Sequence, residues 1–274
     1  MTQATAAPGA APLARPRHRL ISESEWRRWW QAMPAPGLPA WVRPLPIHGT
    51  AHGRPQPDGP ERAVPPGADA VTVGLLETVA QATTALELRT CAGRRGLLGV
   101  FAVAEAEVVG LRRELLSVDG GTSLRALPGL RLSGLGVDRL VEAVMGLVPP
   151  DHEVSGRSAV RLPVARAFAL VDAARCDATG LREAAAAELG EGQPLGVLNS
   201  LARGLRGTLD VRVSDVAEPG CAFASWLLSE EGWVWVWARG TEVVHVPVSR
   251  SAIRARVLAG LTAQLGGRRG GGGG

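Results

Sequence analysis

The sequence predicts an α+β fold, a central antiparallel sheet with helical bundles and a quasi-two-fold internal duplication. Three observations predict it. Short runs alternate apolar and polar residues with period two and are joined by tight turns, which favours hairpins over parallel βαβ crossovers. Amphipathic helical segments gather before and after these runs, the arrangement of an α+β domain. The order of elements also occurs twice, with Leu86-Glu-Leu-Arg89 recurring as Leu209-Asp-Val-Arg212 at an offset of 123 positions.

Residues 1–19, rich in Ala, Pro and Arg, read as a disordered tail, and 20–265 as a single domain. A helix over 22–33 carries its start signal in the S-x-x-E capping box of Ser22 and Glu25, with Trp26, Trp29, Trp30 and Met33 along one face. Residues 34–66 hold ten prolines and read as a linker or an extended surface wrap. The first repeat, about 68–150, opens with a helix over 71–81 and a strand over 85–89. Strands over 97–104 and 107–112 follow, then a loop with Gly120, Gly121 and Pro128, and a closing helix over 137–147 before Pro149 and Pro150.

Between the repeats stand a strand over 159–162 and helices over 165–174 and 181–189. The second repeat, about 194–265, has a helix over 194–205 and strands over 208–212, 221–228, 233–238 and 242–248. Its hairpin turns are Ser229-Glu-Glu-Gly232 and Arg239-Gly-Thr241, and its closing helix runs over 252–265. Residues 266–274, a Gly/Arg run, read as a second disordered tail.

Composition excludes several classes. Hydrophobic residues make up 46% of the 274 positions, enough to bury a core. All 30 basic residues are Arg, with no Lys, in a chain dominated by Ala, Gly, Arg and Val. A GC-rich codon table produces that bias in any protein, so a scattered net charge of +4 is no phosphate-binding stripe and no nucleic-acid partner is expected. No run of 18 apolar residues spans a bilayer, so no membrane insertion is expected. Cys91, Cys176 and Cys221 are far apart, without a CxxC pair, which fits a reduced cytoplasmic compartment.

No catalytic, metal or cofactor set emerges, and the chain reads as a non-enzyme without cofactors. Gly134-Leu-Gly136-Val-Asp-Arg139 begins like a dinucleotide loop but has Arg139 in place of its last glycine. His48 and His52 lie in a Gly/Pro stretch that no helix aligns, and His152-Glu153 lacks a second histidine. His245 sits within a Val-rich strand, where a packed or sheet-surface role outweighs that of a base. Charged turns hold Glu230, Glu231 and Arg239.

The unusual feature is apolar. Trp233, Trp235 and Trp237 alternate with Val234, Val236 and Ala238, so both faces of that strand are hydrophobic. One face meets the core, and the other is covered by a helix layer or by a partner protein. As a partner-binding surface the candidates are Trp226, Trp233, Trp235 and Trp237, with Leu198 and Leu201 as a neighbouring helical wall.

Over about 20–265 the sequence resembles the EspG proteins of type VII (ESX) secretion in high-GC Gram-positive bacteria. The resemblance rests on the Leu86–Arg89 strand with its following hairpin, the 137–150 helix ending in Leu-Val-Pro-Pro, and the Gly156-Arg-Ser-Ala-Val-Arg-Leu-Pro163 strand. The terminal hairpin from Trp226 to Trp237, leading into a last helix, completes it. It implies a cytoplasmic, non-enzymatic chaperone with a quasi-two-fold α+β fold. Such a protein keeps PE/PPE-like helical secretion substrates soluble by binding an apolar helical tip. The competing expectation is a structural or regulatory interaction domain of the same fold without an export role.

Overall fold

The computed structural model describes residues 17–32, 38–46, 67–117, 124–150, 158–167, 196–215 and 221–266. The strands are β1 (Arg17–Ile21), β2 (Thr84–Ala92), β3 (Arg95–Ala104), β4 (Glu107–Ser117), β5 (Leu124–Ala126), β6 (Leu130–Gly136), β7 (Val160–Pro163), β8 (Gly207–Asp215), β9 (Cys221–Ser229), β10 (Gly232–Arg239) and β11 (Glu242–Val248). The helices are α1 (Glu23–Ala32), α2 (Ala70–Ala80), α3 (Leu140–Met145), α4 (Gly196–Arg203) and α5 (Arg250–Gly266), with 3-10 turns at Ala40–Val42 and Val137–Arg139.

All the strands form one sheet in the order β1-β6-β4-β3-β2-β8-β9-β10-β11-β7, with β5 added to β4. Every pairing is antiparallel. The alternation predicted for the two central strands decides what each face meets. Leu86, Leu88, Leu209 and Val211 enter one apolar cluster with Leu140, Val144, Ile253, Val257 and Leu261, so α3 and α5 cover this front face.

On the back face, Ala85, Val100, Val109 and Leu132 pack under Trp26 and Trp29 of α1 and Leu76 and Val79 of α2. A third cluster joins Val160, Leu162 and Val234 to Val197 and Leu198 of α4. The sheet therefore lies between helices on both sides, each apolar strand face buried against an amphipathic helix.

Local signals hold where they are covalently close. The Ser22 N–H donates to Glu25 Oε2 at 2.9 Å and the Glu25 N–H to Ser22 Oγ at 3.3 Å, a reciprocal capping box that starts α1. Asp69 caps α2 by accepting from the Thr72 N–H at 2.7 Å. Both turns of the C-terminal hairpins close as expected, Gly232 pairing with Ser229 and Glu242 with Arg239. Gly240 takes φ +61°, which the second turn requires.

Some expectations change. β1 begins at Arg17, so the last three residues of the expected tail are a strand, held by pairing with β6 rather than by its own propensity. The stretch expected to be loop after β4 contains β5 and β6. Gly134 and Gly136 lie within β6 opposite Val109 and Glu107, so the Gly-Leu-Gly sequence is sheet and not a nucleotide loop. Among the described residues the helices lie on the sheet faces rather than in separate bundles. Of the helices expected over 165–174 and 181–189, only a helical stretch at 164–167 falls within the described residues. Most of 34–66 and both chain ends also lie outside them.

A buried ion pair ties the N-terminal layer together. Arg113, with a fully buried side chain, donates to Glu23 Oε2 at 2.8 Å and to the carbonyls of Leu127 and Arg43 at 3.3 Å each. Glu23 also accepts from the Gly129 N–H at 2.8 Å and from the Leu45 N–H. Burial alone would raise the Glu23 carboxyl, but these donors outweigh it and hold the group below its usual range.

Candidate docking site

The Trp strand is β10, and its register sorts the candidates by face. Trp233 pairs with Leu228 and Val248, and Trp235 with Trp226 and Val246. Trp226 and Trp233 are buried in the front core, at 2% and 0% exposure, so they are not a docking surface. They face α5, and the hydrophobic gain of covering two indoles on a strand opposite a long helix fixes them inside.

Trp235 and Trp237 are half-buried. Their rings stack at 3.9 Å between centroids, and the Arg256 guanidinium lies 3.9 Å from the Trp235 ring. Leu198 and Leu201 are no wall beside this stripe. Leu198 is buried and Leu201 half-buried in the cluster with Val234 and Val236, on the opposite face of β10. Successive residues of a strand point to opposite faces, so the even valines and the odd tryptophans cannot share one surface.

A groove of about 450 Å³ opens on the back face, between the layer of α1 and α2 and that of α4. Its floor is the polar half of the two central strands. Glu87 stands opposite Arg212, and Arg89 opposite Asp210, across the β2/β8 seam. The Ser225 hydroxyl donates to Asp210 at 2.6 Å. Burial raises the pKa of the Glu87 carboxyl, with the Arg212 charge pulling it partly back. Apolar walls rise around this charged floor from Trp41, Leu98, Leu115 and Leu124, and from Phe223, which is 63% exposed.

Sequence reasoning missed this groove although half of its signal was present. The Leu-Glu-Leu-Arg and Leu-Asp-Val-Arg strands place their charged alternates on one face. A charged face on two strands at the centre of a sheet marks a place that none of the described helices covers.

The described residues contain no group of three His, Cys, Asp or Glu side chains arranged to hold a metal. Cys91 is half-buried and Cys221 exposed, both free, while Cys176, His48, His52 and His152 lie outside the described residues. His245 is buried and its pKa falls to about 4, because burial penalises the charged form. No described helix is long and apolar enough to cross a membrane.

No protein-family model matches this sequence, and no curated protein does. Among solved structures the chain is similar to the type VII secretion system chaperone EspG5 of Mycobacterium tuberculosis, determined in complex with the PE25–PPE41 dimer. The match has a TM-score of 0.57, covers 90% of this chain and 96% of that one, and has 11% sequence identity. The chain has the EspG fold. The likeness extends over almost the full length of both chains, so it takes in both halves of the sheet.

Proposed function

We propose that this protein is a cytoplasmic, non-enzymatic chaperone of the EspG kind that holds a PE/PPE-like helical secretion substrate soluble for export. The observation that carries the reading is the open groove at the centre of an EspG-fold sheet, charged on its floor and apolar on its walls. A helix tip exposes apolar side chains around a cluster of unpaired backbone groups. Leu98, Leu115 and Phe223 would take the side chains, while Glu87, Arg89, Asp210 and Arg212 supply donors and acceptors and keep the empty groove wetted.

Recovery of the tagged protein from its native cytosol, with its partners identified by mass spectrometry, tests this reading. A helical-hairpin secretion substrate should accompany the wild type and disappear with Phe223→Asp at an unchanged melting temperature. Failure to find such a partner, or undiminished recovery with the variant, would overturn it. If the partner is found but its export is unaffected when this gene is deleted, the protein is an interaction domain without an export role.

A second reading places docking at Trp235 and Trp237, favoured by the half-exposed indole stack. Under it, Trp237→Ala rather than Phe223→Asp abolishes partner recovery.

We also propose that the two halves descend from a duplication. Outward from the seam the strands run β2, β3, β4, β6, β1 on one side and β8, β9, β10, β11, β7 on the other. The helices before the seam strands, α2 and α4, end at positions 80 and 203, again 123 apart.

A further inference from the structure

We infer that the outer front face of the first half, over β3, β4, β5 and β6, is a second docking site whose occupant is an acidic amphipathic helix of a partner protein. It stands independently of the groove and of the chaperone reading. The register places four guanidinium groups on this face. Leu88, which points to the front, pairs with Gly99, Gly99 with Arg112, and Arg112 with Arg131. Arg95 pairs with Leu116, and Leu116 with Arg125. Arg95, Arg125 and Arg131 are exposed, and among the described residues Glu114 is the acid on the same face.

Like charges directly opposite on neighbouring strands destabilise a sheet, so the Arg112–Arg131 pair works against the fold. Among the described residues no carboxylate forms an ion pair with Arg95, Arg112 or Arg131. Arg112 is half-buried and its Nε, shielded from water, has no hydrogen-bond partner. Among the described residues, then, Arg95, Arg112 and Arg131 are left without a carboxylate partner.

Shape and apolar content select the occupant. Strand spacing and rise make the cationic block about 10 by 13 Å, the footprint of two to three turns of helix. Leu116 at 42% exposure and Leu20, beside Arg131 at 74%, give it apolar margins that a nucleic-acid backbone would leave unmatched. A flat bilayer is held off, because α3 and α5 stand on the same face, about 10 Å above the sheet. A helix with acids on one side and leucines on its flanks satisfies both features.

The test uses the full chain and a fluorescein-labelled 14-residue helical peptide with Glu toward the sheet and Leu at the flanks, read by anisotropy at low salt. Binding should weaken about tenfold with the double variant Arg95→Glu/Arg131→Glu, at a melting temperature no lower than that of the wild type, since a glutamate in place of Arg131 would stand opposite Arg112. Phe223→Asp should leave it unchanged, which separates this site from the groove. The proposal fails if the double variant binds equally well. It also fails if the wild type ignores the peptide, whether it binds nothing or instead binds phosphatidylglycerol vesicles or duplex DNA.

Discussion

Leu88 and Val211 face each other at the midpoint of the nine-pair ladder that joins β2 to β8. The offset of 123 between the like segments Leu86–Arg89 and Leu209–Arg212 also separates Leu88 from Val211, so the two segments pair with each other about that position. Antiparallel pairing about that position sets Glu87 against Arg212 and Arg89 against Asp210 on the groove floor.

The seam is tightest at its end. A Cβ at Gly207 would sit 2.3 Å from the Cys91 carbonyl oxygen, and neither backbone can yield without opening the ladder. Gly207→Ala should cost about 2–3 kcal/mol in urea unfolding. Gly74→Ala in α2, where a Cβ meets nothing within 4 Å, should be neutral or stabilise by up to about 1 kcal/mol.

Truncating the tryptophans should separate core from surface. Trp226→Ala empties a buried site and should cost about 3–5 kcal/mol. Trp237→Ala removes a half-buried ring and should cost less than about 2 kcal/mol, both measured by chemical denaturation. Equal losses would mean that the two residues share one environment.

Arg113→Ala leaves Glu23 charged and partly buried without its cation and should cost about 3 kcal/mol. Because the folded pKa of Glu23 is depressed, its stabilisation is present above the ordinary glutamate value of 4.5 and is lost as pH falls through the lower folded value. Glu23→Gln should flatten the acid side of the stability curve. An unchanged slope would show that Glu25 and Asp69, also held below their usual values by hydrogen bonds from Ser22 and Thr72, dominate it.

His245 acts higher on the pH scale. It stays neutral when folded down to about 4, while the unfolded chain takes up a proton near 6.5. The unfolded state therefore binds more protons between those values, and stability falls as pH drops from about 6.5 and levels off near 4. His245→Leu should remove a loss of roughly 3 kcal/mol over that window, read from denaturation midpoints at stepped pH.

The sequence by itself determined the features that depend on neighbours a few residues away. Period-two alternation located β2 and β8, apolar runs between turns located β3, β4 and β9 to β11, the Ser22–Glu25 box located the start of α1, and turn chemistry located both C-terminal hairpins. It also carries one strand pattern twice, at Leu86–Arg89 and Leu209–Arg212. Only the tertiary structure decided what stands against each face. It buried Trp226 and Trp233 under α5 and put Leu198 on the far side of β10. It also recruited Arg17–Ile21 into the sheet through β6. Periodicity states that a side chain points up or down from a strand, but the free energy of that position is set by groups tens of residues away. For the same reason the groove at Glu87 and Arg212, the gathering of arginines over β3 to β6 and the Glu23–Arg113 pair, whose partners lie 90 positions apart, could be read only from the folded chain.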